Sequence, residues 1–109
     1  MTNISSVIAV IRTQATMHRG CNRAWLQGNE AMIRAGFNSN CRYDLEYKAD
    51  CVVLNLNPEG SRKVSATGRG PTLDLVNKKM NAYNFSGGIA WIITAGKITV
   101  LGVTHEAQI

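Results

Sequence analysis

Between Val7 and Gly102 the chain runs twice through one series of elements, a constraint on its fold stronger than any single motif. Each pass reads as a strand, a loop, a short extended piece, a brief helix and a hairpin. Leu26 aligns with Leu75, Phe37 with Phe85, Tyr43 with Trp91, Leu45 with Ile93 and Leu54 with Val100. The offset is 49 residues at the first pair, 48 at the next three and 46 at the last, which small changes in loop length accommodate. The first repeat covers about 4–57 and the second about 62–102. With 109 residues in all, the two would share a single domain and one core.

Local patterns support each element. Val7 to Ile11 is apolar and β-branched, a buried strand. Thr13 to Asn22 shows no periodicity and reads as a loop or arm, followed by the extended piece Ala24-Trp25-Leu26. Asn29 is placed to cap a helix over Glu30 to Ala35, with Gly36 at its left-handed end. Tyr43, Leu45 and Tyr47 alternate with Arg42, Asp44 and Glu46, the period of a half-buried strand. Lys48-Ala49-Asp50 turns into a second strand, Cys51 to Leu56. In the second pass, Lys63 to Thr67 is strand-like, Gly68-Arg69-Gly70-Pro71 a loop, and Thr72 to Leu75 extended. Asn77 caps Lys78 to Tyr83, and Ile89 to Thr94 pairs with Lys97 to Gly102 across Ala95-Gly96. Val103 to Ile109 reads as a frayed tail.

The charge balance bears on partners. Lys and Arg total 12 against 7 acidic residues, giving +5 and a pI near 9.5, which favours a polyanionic partner such as DNA or RNA. No apolar run reaches the ~20 residues needed to span a bilayer, so no membrane is expected. The strand at Val7 lacks the cationic leader and cleavage site of a signal peptide. Cys21, Cys41 and Cys51 are odd in number and widely spaced, as expected of reduced thiols in a cytoplasmic protein. His18 with Cys21 is the sole loose metal candidate, short of a zinc ligand set.

The residues Trp25-Leu26-Gln27-Gly28, then Ala35-Gly36-Phe37, then the hairpin ending in Cys51-Val52-Val53-Leu54 resemble the SymE family of the SpoVT/AbrB superfamily. The match covers about half the chain directly, with the second half as a degenerate copy in which Tyr83-Asn84-Phe85 stands for Ala-Gly-Phe. The family's glycine before the hairpin is Asn40 here, a residue that tolerates a left-handed backbone. The resemblance implies a mostly β fold with two short helices. In that superfamily two copies exchange hairpins into a closed β-barrel, which removes exposed strand edges. Two copies in one chain would form a monomeric pseudo-dimer, with a homodimer as the other arrangement. Trp91, Tyr43, Phe37, Phe85, Leu54 and Ile93 would form its core. The resemblance also implies a DNA-binding regulator or a toxin-like protein of a mobile element.

Binding is the expected activity. Arg12, Arg19 and Arg23 lie in or beside the first loop, and Arg62, Lys63 and Arg69 in the equivalent region of the second half. A pseudo-twofold axis would bring the two sets to related positions, and guanidinium forks suit phosphates and guanine edges. Lys78-Lys79 opposes the dipole at its helix start, which hints at an anion nearby. Gly68-Arg69-Gly70-Pro71 lacks the spacing of a phosphate loop, and no cofactor is implied. Two further readings stay open. One is a phage-type inhibitor that docks a host or defence protein. The other is an RNA-cleaving toxin using His18 with Arg19 and Arg23, although no carboxylate pair or nucleophile–base pair accompanies them.

Overall fold

The computed structural model describes residues 7–104, so the chain ends at 1–6 and 105–109, including the start of the first repeat and most of the expected tail, lie outside the described residues. The described chain is mostly β, in two antiparallel sheets. The strands are β1 (Val7–Thr13), β2 (Thr16–His18), β3 (Cys21–Gln27), β4 (Arg42–Tyr47), β5 (Cys51–Leu56), β6 (Arg62–Lys63), β7 (Ser65–Thr67), β8 (Gly70–Val76), β9 (Ile89–Thr94) and β10 (Lys97–Gly102). Helix α1 (Glu30–Arg34) precedes β4, and a 3₁₀ helix (Lys78–Ala82) precedes β9. The larger sheet has the order β1-β9-β10-β5-β4-β6 and the smaller β2-β3-β8-β7.

Exchanging β1 with β6, β2 with β7, β3 with β8, β4 with β9 and β5 with β10 leaves both orders unchanged. The registers obey the same exchange. An offset of 49 residues turns the pair Leu26–Leu73 into Ala24–Leu75 and maps Trp25–Asp74 onto itself. An offset of 46 turns Leu54–Ile98 into Val52–Val100 and maps Val53–Thr99 onto itself. Applying 49 to β1 and 46 to β4 carries Thr13–Ile89 onto Arg62–Tyr43. The edge strand of each half thus pairs with the hairpin of the other.

These registers shift the alignment within the hairpins. Lys48 bonds Cys51 and Thr94 pairs with Lys97, so the same 46-residue offset holds throughout both hairpins. Leu45 then corresponds to Trp91 and Tyr43 to Ile89, where the sequence matched Tyr43 with Trp91 and Leu45 with Ile93. A slip of two keeps every side chain on its face, so alternation alone could not reveal it.

Three other expectations are corrected. Val7 to Ile11 is not a buried strand but the edge strand β1, with Val7 and Val10 exposed. The sheets do not close into a barrel. β6 has two residues, and after β1 and β6 the chain crosses directly into the smaller sheet, so the strands that could close the larger one pair elsewhere. Thr13 to Asn22 is not a loop but contains the β2–β3 hairpin, turning at Arg19 (φ 53°) and Gly20 (φ 81°), a left-handed pair suited to the strand twist.

One apolar cluster lies between the sheets. Ala24, Leu26, Leu73 and Leu75 come from the smaller sheet, and Tyr43, Val52, Leu54, Trp91, Ile93, Ile98 and Val100 from the larger. Phe37, Phe85, Met32 and Met80 fill its ends, and all six aromatic and aliphatic residues expected in the core are buried. Trp91 is fully buried, with its Nε1–H donating to Thr13 Oγ1 at 2.8 Å. Asn29 and Asn77 both cap their helices, accepting from Ala31 and Lys79 backbone N–H groups respectively. Asn40 takes φ 71°, the left-handed conformation that its place before the hairpin requires.

Candidate nucleic-acid interface

The smaller sheet buries Ala24, Leu26, Leu73 and Leu75, so alternation turns Arg23, Trp25 and Gln27 of β3 and Thr72, Asp74 and Val76 of β8 to its other face. Trp25 lies at the centre of this face, paired with Asp74 and 45% exposed. A large aromatic left exposed on a flat strand face contributes nothing to the core and is available for contact. Arg23 spans the two: Nε and Nη2 donate to the Asp74 oxygens at 2.8 Å each, and Cζ lies 5.6 Å from the Trp25 ring centroid. The hydrogen bonds to Asp74 push the Arg23 guanidinium above its ordinary value, so it remains cationic. At the other end of the face, Gln27 Nε2 donates to Thr67 Oγ1 at 3.0 Å.

The two turns of this sheet stand at opposite ends of the face, because β3 and β8 are antiparallel. Each carries an exposed arginine, Arg19 in one and Arg69 in the other, separated by a seven-residue strand of roughly 23 Å. Both turns are braced. Asn81 Nδ2 donates to Gly20 O at 3.1 Å and Asn81 Oδ1 accepts from Asn22 N at 2.7 Å, tying the first turn to the 3₁₀ helix. At the second, Gly28 N donates to Pro71 O at 2.7 Å. Gly28 has φ +61°, and a Cβ there would stand 2.5 Å from Arg69 O, so only glycine allows this approach.

The six basic residues expected to act together are divided. Arg19 and Arg69 flank the Trp25 face, and Arg23 lies on it, neutralised by Asp74. Arg12 is exposed on β1 beside a pocket of about 440 Å³ lined also by Gln14, Phe85 and Ser86. Lys63 is exposed on β6, and Arg62 turns to a separate pocket with Tyr47, Asn77, Lys78 and Lys79. Under the exchange of halves Arg12 corresponds to Ser61, Lys63 to Gln14 and Arg23 to Thr72, so the two sets are not equivalent. The exposure of Trp25 and the meeting of Arg62 with Lys78-Lys79 escaped the sequence reading, which singles out Lys78-Lys79 alone. For Trp25 the signal was present, in its place between two residues that alternation would bury.

His18 pairs with Cys21 across the first turn, and among the described residues no group of three or more His, Cys, Asp or Glu could hold a metal ion. Burial pushes the Cys51 thiol up, with Asp50 adding to the shift, so it is held as the unreactive thiol. No helix among the described residues is long and apolar enough to cross a membrane. Comparison with protein-family models, curated proteins and solved structures gives no match for this chain.

Proposed function

We propose that this chain is a small nucleic-acid-binding module of the SpoVT/AbrB swapped-hairpin kind, a cytoplasmic regulator or toxin-like protein, with the outer face of the smaller sheet as its contact surface. The observation that carries this reading is Trp25, exposed at the middle of a braced sheet with an arginine turn at each end. Bases stack on such aromatics whatever their sequence, and cationic turns follow the backbone on either side. Single-stranded DNA or RNA fits that arrangement, because its bases are free to stack. The net charge of +5 adds long-range attraction. The exchange of edge strands between halves supports the superfamily reading in open, two-sheet form.

Trp25 also reports on its own binding, since the other tryptophan, Trp91, is fully buried. Titration with a single-stranded oligonucleotide is expected to quench Trp25 emission to saturation, and Trp25→Ala to weaken binding by ~1–3 kcal/mol. Unchanged emission together with no complex at low salt would reject this reading and favour a protein partner on the same face.

A further inference from the structure

The shallow, open pocket beside the 3₁₀ helix is lined by Tyr47, Arg62, Asn77, Lys78 and Lys79, with a volume of about 320 Å³. That is about ten times the ~30 Å³ share of one water in the liquid, room for a tetrahedral oxyanion and its ester group. Three cations from two separate elements line it, and no carboxylate does. The one ion pair among the described residues, Arg23–Asp74, uses none of them. Uncompensated like charges gathered in one concavity repel one another, and an anion placed among them relieves that repulsion.

The polar groups around the cations are arranged as donors. Asn77 Nδ2 donates to the Tyr47 hydroxyl oxygen at 2.6 Å, leaving the phenolic proton to be given elsewhere. Asn77 Oδ1 is occupied by Lys79 N at 2.8 Å. The Lys79 ammonium stands 5.0 Å from the Tyr47 ring centroid, a cation–π contact at the pocket wall. The fold itself does not require these charges. At the places related by the exchange of halves, the other half has Thr13 for Arg62, Ile93 for Tyr47, and Glu30 and Ala31 for Lys78 and Lys79. The same scaffold stands there with no cation and one acid.

We infer that this pocket is a phosphate site that takes a phosphate monoester dianion, either the terminal phosphate of a nucleic-acid strand or a free mononucleotide. Three cations and a donor hydroxyl match a dianion better than the single charge of a backbone diester. The terminal-phosphate source rests on the function proposed above; the free-nucleotide source does not.

The test uses the full chain in two arms. In the first, amide NMR spectra follow titration with inorganic phosphate and with a nucleoside monophosphate. Saturable shifts at Asn77 to Lys79 are expected, and Lys78→Ala with Lys79→Ala should abolish them. Both lysines are exposed, and unchanged Trp91 emission verifies that the variant is folded. In the second arm, one oligonucleotide is compared with and without a terminal phosphate, on either end. About tenfold tighter binding of a phosphorylated form, the worth of one hydrogen bond to a charged group, identifies the strand end as the source. The double variant should erase that ratio and leave the unphosphorylated oligonucleotide bound as before. Equal binding of the forms, with the first arm positive, identifies the free nucleotide. Absence of saturable shifts, or shifts that survive the double variant, overturns the phosphate site. Loss of all oligonucleotide binding with the first arm positive overturns only the nucleic-acid reading.

Discussion

After its small hairpin the first half continues Asn29-Glu30-Ala31-Met32, and the second Asn77-Lys78-Lys79-Met80. The asparagines cap both helices and the methionines are fully buried in both. Between them, Ala31 is buried under an α-helix, whereas Lys79 is exposed on a 3₁₀ helix beside Tyr47. A lysine cannot take the buried place that alanine fills. The same division appears at the edge strands. Trp91 bonds Thr13, while at the related places Leu45 and Arg62 reverse the large and small partners. The caps and the buried methionines thus agree between the halves, and the cations Lys79 and Arg62 stand where the other half has Ala31 and Thr13.

The largest expected effect sharpens this contrast. Trp91→Ala should destabilise the protein by ~3–5 kcal/mol in urea unfolding, by more than Leu45→Ala, because Leu45 is only partly buried. Equal losses would mean that the two hairpins share the core evenly despite their different side chains. Next come the caps. Asn29→Ala and Asn77→Ala should each cost ~0.5–2 kcal/mol, with Asn77→Ala also releasing the Tyr47 hydroxyl. A negligible loss at one cap would break the equivalence of the helices.

The smallest effect is a pH dependence at Tyr43, a position that has no ionising counterpart in the other half. Burial pushes the Tyr43 phenol up, against a smaller opposing effect of Arg62, whereas the related Ile89 does not ionise. The folded state therefore holds the neutral phenol more tightly than the unfolded chain does. This contribution is complete below the unfolded value of about 10 and is lost as pH rises through the higher folded value. Tyr43→Phe should flatten the alkaline limb of a stability–pH profile; an unchanged limb would assign it to other groups.

Much of the fold was legible because it is written locally. Ala95-Gly96 between alternating strands, Asn29 and Asn77 before short helices, and Asn40 at a left-handed position all act through their neighbours in sequence. The β2–β3 hairpin was not, because its strands pair over only three mostly polar residues each and its turn is Arg19-Gly20, not one of the commonest turn pairs. The site was less legible still. Arg23 finds Asp74 51 residues away, and Arg62 reaches Lys78 and Lys79 through the pairing of β6 with β4. Those meetings depend on the exchange of strands between halves, which composition and spacing do not encode.

The salt dependence of oligonucleotide binding tests the proposed interface most directly. Affinity should fall linearly on a log–log plot. Arg19→Ala and Arg69→Ala should each lower the slope by roughly 0.7 for a single strand, while Arg34→Ala, on α1, leaves it unchanged. Equal contributions from the two turns are the predicted result. A slope that none of these substitutions alters would contradict the placement of nucleic acid across the Trp25 face.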